Sequence, residues 1–227
     1  MIKQRIHLID ALRGFAIILM VAFHFGINLV DWGFAEPTLV FNPTLRILQP
    51  IFAGVFILLS GMSSRFSRSN LRRGVIVLLC AYAVSIATFW IGMPIYFGIL
   101  HFLGVAMTLY GLLQSTLDKL PKRLQPAIYI ALFAVSSFFF PRAIEEETNL
   151  FLPFGLYGNR GADYFPLLPW LFLFLLGTWL GKLAVENKLP KWFYTFNMPI
   201  LPIIGRHGLL IYLVHQPVLY GIFWLVA

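Results

Sequence analysis

Apolar residues in this chain come in long unbroken runs, with no strict alternation. A run of about 20 such residues crosses a hydrocarbon layer as a helix. Seven runs can be read, near residues 11–30, 45–63, 74–92, 95–114, 126–141, 166–184 and 207–226. The fifth is the shortest. Unbroken apolarity excludes the strands of a membrane barrel, whose lipid-facing and lumen-facing residues alternate. The expected fold class is all-α, a polytopic membrane bundle of about seven helices that forms a single domain over residues 1–227. The first run is preceded by Asp10 and Arg13 and lacks a small-residue cleavage site, so it reads as a span rather than a cleavable signal.

Composition agrees with the pattern. Of the 227 residues, 59% are hydrophobic and 11% charged, and mean hydropathy is +0.82. Soluble domains carry about 45–50% apolar and about 25% charged residues. A water-soluble globule of this make-up could not cover itself with polar surface, so the lipid bilayer is the expected solvent. The single cysteine, Cys80, excludes an intramolecular disulfide.

The net charge of +8 would point to nucleic acid in a soluble protein. Here the distribution of the charge gives another reading. With the N-terminus inside, 14 of the 17 Lys and Arg residues fall in inner segments, while Arg46, Arg142 and Arg160 fall outside. Cytoplasmic loops of membrane proteins gather cations, so the expected orientation is N-terminus in and C-terminus out, with no nucleic-acid partner. One outer loop, 142–165, is long and holds Glu145, Glu146, Glu147 and a polar cluster from Gly155 to Tyr164.

The first span holds the candidate chemistry. Asp10, Arg13, His24, Asn28 and Asp31 recur near helical multiples, giving an otherwise apolar helix one polar stripe. Arg13 can snorkel to the inner interface. His24 lies about 16 Å further along the helix, near mid-membrane. Ionisable residues at that depth usually face a protein interior or a watery cavity.

Other spans add to the set. His101 lies on the fourth with a stripe of Gly98, Gly104, Thr108 and Gly111, which permits close helix approach. The last span begins at Arg206 and His207 and holds His215, Gln216 and Pro217 about two turns higher. His215 should sit at a depth comparable with His24. The two would then share a site, as base and oxyanion donor or both on substrate. Packing bonds between helices are the plainer reading of all three histidines. Arg46, at the outer start of the second span, is placed to receive an anionic or sugar acceptor. Trp32, Trp90, Trp170 and Trp224 fall near span ends, as an aromatic belt places them. Trp170, beside the outer loop, is also placed to stack on a sugar. No metal site is expected, because no His pair or Cys/His cluster has ligand spacing.

Arg13 and His24 within DALRGFAIILMVAFH resemble the Arg-x10-His pattern of membrane-bound acyltransferases. GILHFLGVAM (98–107), PLLPWLFLFLLGTWLGK (166–182) and IGRHGLLIYLVHQPV (204–218) are similar, in the same order, to bacterial relatives of heparan-alpha-glucosaminide N-acetyltransferase. The resemblance implies acyl transfer, with acetyl-CoA as donor co-substrate, from the cytoplasm to a sugar amine or hydroxyl on the outer face of a bacterial cytoplasmic (inner) membrane. The chain has fewer spans than the eukaryotic enzyme, so the glycan in the family name does not carry over.

On this reading Arg13 matches the arginine expected near the donor, and Asp10 orients it through a helical ion pair. Arg65, Arg68, Arg72 and Arg73 are also available for coenzyme A phosphates, which arginine binds bidentately. Arg206 is an interfacial anchor counted with Asp10, Arg13, Arg72 and Arg73 in the donor-binding set. His24 matches the histidine expected to act in transfer, with His215 and His101 next. Asn28, Asp31, Arg46, Trp170 and Gln216 form the acceptor-side set, for a carbohydrate or other cell-envelope acceptor. A homodimer is left open. The competing reading is a proton-coupled transporter, since buried histidines also relay protons, but no repeated halves are visible. A non-catalytic membrane protein is the third.

Overall fold

The computed structural model describes residues 6–139, 153–154 and 163–226. Among them every regular element is helical. The order is α1 His7–Asp31, a 3-10 turn Pro37–Leu39, α2 Pro43–Ser64, α3 Asn70–Trp90, α4 Ile99–Leu117, α5 Gln125–Phe139, α6 Leu167–Val185, α7 Lys191–Thr195, α8 Leu201–Arg206 and α9 Gly208–Val226. Six of these are long and apolar enough to cross a membrane, and α5 is a shorter apolar helix. The chain is therefore an all-α polytopic membrane protein. The seven expected spans match these seven helices closely, whereas the apolar pattern does not predict α7 and α8. The long outer loop, with Glu145 to Glu147 and most of the Gly155–Tyr164 cluster, lies outside the described residues.

Local chemistry explains several helix ends. Ser69 caps α3, accepting from the Arg72 backbone N–H at 3.2 Å. Just beyond the ends of α1 and α3 stand Gly33 and Gly92, both at φ +76°. That left-handed conformation closes a helix and strongly favours glycine. Asp163, at the end of the long loop, accepts from the Ile99 N–H at 3.1 Å and so caps α4 from a distant part of the chain.

The chain forms two compact units, one of residues 1–59 with 189–227 and the other of residues 60–188. In the first, α1 and α9 run parallel and in step. Ile17 lies against Gly208, the His24 ring against His215 and the Trp32 ring against Phe223. The short α8 runs antiparallel to the start of α1 at backbone distance. A Cβ added at Gly14 would overlap the Leu201 carbonyl oxygen, and one at Gly205 the Asp10 carbonyl oxygen.

In the second unit α3 and α4 pack antiparallel, with Gly74 at Thr108, Gly104 at Leu78 and Gly111 at Leu71. The predicted small-residue stripe of α4 is thus a helix-packing surface. The α4 and α6 helices run parallel, joined by the Tyr110–Phe174 ring contact and the Asp118–Lys182 ion pair. The α5 helix lies antiparallel to α6, with Phe133 at Trp170 and the Lys122 carbonyl at Trp179. A chain between two helices that point the same way has to return, and α5 returns it. At 15 residues it is about 22 Å long, short for a hydrocarbon core of about 30 Å. Leu79, Ile86 and Phe89 of α3 are 65%, 62% and 65% exposed, a surface suited to lipid tails rather than water.

Candidate active site

The first unit brings together four of the residues singled out in the sequence. His24 and Asn28 stand one turn apart on α1, and His215 and Gln216 are neighbours on α9. The two imidazole centroids are 4.9 Å apart, with the ring planes tilted by 53°. Asn28 is 1% exposed and His215 7%, while His24 and Gln216 are half-buried. The Asn28 amide nitrogen donates to the His24 carbonyl and to the Gln216 side-chain oxygen, each at 3.0 Å. The polar stripe of α1 therefore faces the polar pair of α9.

Hydrogen bonding fixes the tautomers. His24 Nδ1 is 3.0 Å from the Met20 carbonyl oxygen, and His215 Nδ1 is 2.6 Å from that of Tyr212. A carbonyl oxygen can only accept, so each Nδ1 carries the proton and donates. In the neutral rings Nε2 is then the basic, lone-pair nitrogen. With both rings neutral each Nε2 accepts, and an N–H donor at Nε2 of either would require an imidazolium.

At the start of α1, Asp10 is buried and its Oδ2 lies 3.5 Å from Arg206 Nε. Arg13 is half-buried one turn further along. The contact between Gly14 and α8 sets this geometry, because α8 delivers Arg206 to the level of Asp10. The spacing of the sequence brings out the Asp10–Arg13 proximity but not the Asp10–Arg206 pair, which depends on a helix that composition alone does not reveal.

The remaining candidates lie elsewhere. Asp31 and Arg46 are exposed, at the end of α1 and near the start of α2. His101, Arg72, Arg73 and Trp170 belong to the second unit. His101 is 4% exposed, and both its nitrogens are engaged. Its Nδ1 accepts from the Gly98 backbone N–H at 3.2 Å, which leaves Nε2–H to donate to Ser85 Oγ, also at 3.2 Å. Ser85 in turn donates to the Ile95 carbonyl at 2.5 Å. Trp170 packs between Phe133 and Phe165. Arg72 is exposed and Arg73 half-buried at the first turn of α3.

Arg65, read from sequence as available for phosphate, is committed to the fold. It holds Asp118 through Nη1 at 2.8 Å and Nη2 at 2.5 Å, and the Thr178 carbonyl through Nε at 3.2 Å. Lys182 meets the same carboxylate at 2.8 Å. The Arg65 hydrogen bonds, aided by Lys182, hold the Asp118 carboxyl at about 2, below the usual carboxylate range. No sequence spacing pairs these three, since each ends a different helix.

A buried polar seam between two parallel spans defines an integral membrane protein that keeps titratable chemistry inside the bilayer. The family profile described as "Heparan-alpha-glucosaminide N-acetyltransferase, catalytic" matches residues 5–217, and the chain belongs to that family. It is a membrane enzyme of the acetyltransferase type. Comparison with curated proteins and with solved structures finds no match.

Proposed function

We propose that this enzyme moves an acetyl group from cytoplasmic acetyl-CoA to an amine or hydroxyl of a sugar or other cell-envelope carbohydrate at the outer face of a bacterial cytoplasmic membrane. The observation that carries the reading is the meeting of His24 and His215 on two parallel spans, with Arg13 and Arg206 at the end of the same unit that the charge distribution assigns to the cytoplasm. Those two cations suit the anionic head of coenzyme A. Asp10 orients Arg206 and leaves the group with a net positive charge. Arg72 and Arg73 are further candidates for the phosphates.

Along α1 the basic nitrogen of His24 lies about 16 Å from Arg13, a separation to be bridged by the thin pantetheine arm. His24 Nε2 takes the proton of the acceptor as its nitrogen or oxygen bonds to the thioester carbon. The C–S bond then breaks, and the departing thiolate takes that proton from the imidazolium. Asp31 and Arg46 in the first unit and Trp170 in the second are the acceptor-side candidates, and His101 supports the fold of α4.

The test uses purified protein in vesicles loaded with labelled acetyl-CoA, with glucosamine outside. Labelled acetylglucosamine should appear outside with the wild type and not with His24→Ala. If glucosamine stays unlabelled while a proton gradient drives solute uptake, the protein is a transporter and this reading is wrong.

A further inference from the structure

An acyl-transfer site needs a proton acceptor for the nucleophile and a hydrogen-bond donor for the oxyanion that forms on the thioester carbonyl. His24 and His215 present two acceptors, because both Nδ1–H groups point into their own helices. The donor has to come from another residue.

The hydrogen bonds around Asn28 identify it. Asn28 Nδ2 contacts the His24 carbonyl oxygen, an obligate acceptor, so the contacting atom is the amide nitrogen and not its oxygen. The same nitrogen touches the Gln216 side chain, so the Gln216 atom facing it must be the oxygen. One backbone carbonyl thus fixes two side-chain amides in turn. The NH2 group of Gln216 is directed away from Asn28, next in sequence to His215, and among the described residues no hydrogen bond occupies it. Gln216 itself is half-buried.

We infer that Gln216 is a catalytic residue whose side-chain NH2 stabilises the tetrahedral oxyanion of acetyl transfer, and that Asn28 is the positioning residue that aims it. This rests on the acetyl-transfer reading above. As the acceptor attacks, the carbonyl π electrons move onto oxygen and the Gln216 N–H donates to it. The bond weakens again when the carbonyl reforms and the thiolate leaves. An amide suits the role because its donor keeps its proton throughout.

The experiment measures kcat and KM for acetyl transfer from acetyl-CoA to glucosamine with the full-length protein in nanodiscs. Gln216→Glu keeps an oxygen for Asn28 but replaces the donor with an acceptor. It should lower kcat about 100-fold or more, with KM for acetyl-CoA within about threefold of wild type. Gln216→Met, of similar shape and without a donor, should do the same and serves if the glutamate variant does not fold. Asn28→Asp removes the donor to Gln216 oxygen and draws the glutamine NH2 toward its own carboxylate. Its loss in kcat should be comparable, and the double variant Asn28→Asp/Gln216→Met should be no worse than the poorer single one.

If Gln216→Met folds and keeps kcat within about threefold while the wild type is active, the inference is wrong and the acetyl-transfer reading stands. Multiplicative losses in the double variant would overturn the positioning role of Asn28. A wild type that acetylates nothing removes the reading of function and this inference together.

Discussion

In sequence, His24 and His215 of the first unit and His101 of the other all read as imidazoles within apolar spans and as candidates for catalysis. They differ in how their nitrogens are used. The first two donate through Nδ1 to a carbonyl of their own helix, so in the neutral ring Nε2 is the lone-pair nitrogen. His101 accepts on Nδ1 from the Gly98 N–H and donates on Nε2 to Ser85. His101 also stands in the first turn of α4, whereas His24 and His215 lie well inside their helices. What matters is which nitrogen the backbone has already claimed.

The sharpest way to break this comparison is to remove each ring. His24→Ala should reduce acetyl transfer by about 100-fold to 10,000-fold, the usual worth of a general base, with little change in melting temperature. His101→Ala should do the reverse. It deprives a buried Gly98 N–H of its partner and costs about 1–3 kcal/mol of stability, with kcat per folded molecule nearly unchanged. Parallel thermal melts and single-turnover assays read the two effects. Equal losses of activity with no loss of stability would erase the distinction.

A smaller effect is expected at the ion pairs of the second unit. Asp118→Asn leaves the Arg65 guanidinium, whose side chain is 9% exposed, without its counter-charge. Asp118 itself is 30% exposed, so water moderates the loss to about 1–2 kcal/mol, visible as a lower melting temperature. The pH dependence has a definite sign. A carboxyl lowered on folding contributes fully above its unfolded value near 4, and that contribution disappears as pH falls through about 2. Wild-type stability should therefore lose this increment between those values, and the Asp118→Asn variant should lack that part of the acid transition. At the surface, Lys122→Ala should change neither melting nor turnover measurably, although Lys122 sits 2.6 Å from Glu186 with its side chain 51% exposed.

The membrane helices are legible in the sequence because each is a continuous apolar run, and a run survives uncertainty about its exact ends. The seam is half legible. Helical spacing places His24 and Asn28 on one stripe, and a similar depth pairs His24 with His215. Tautomers and amide orientation are not legible, since they depend on carbonyls of Met20, His24 and Tyr212 that every residue type possesses. The short α8 is hidden because six residues containing a proline and a glycine have no helical signature of their own. With it the Asp10–Arg206 pair is hidden too. Arg65 misleads for a related reason. A cation at a helix end looks available until the fold supplies Asp118 from 53 positions away.

The in-step rise of α1 and α9 constrains how this chain can vary in length. One residue inserted between Ile17 and His24 would swing the imidazole about 100° around its helix and lift it about 1.5 Å, and every later rung of the ladder would miss its mate. Seven residues would restore the bearing but raise the ring about 10 Å, out of reach of a neighbour that had not moved. Insertions and deletions are therefore tolerable in the loops, while inside this ladder they are tolerable only when both rails change together.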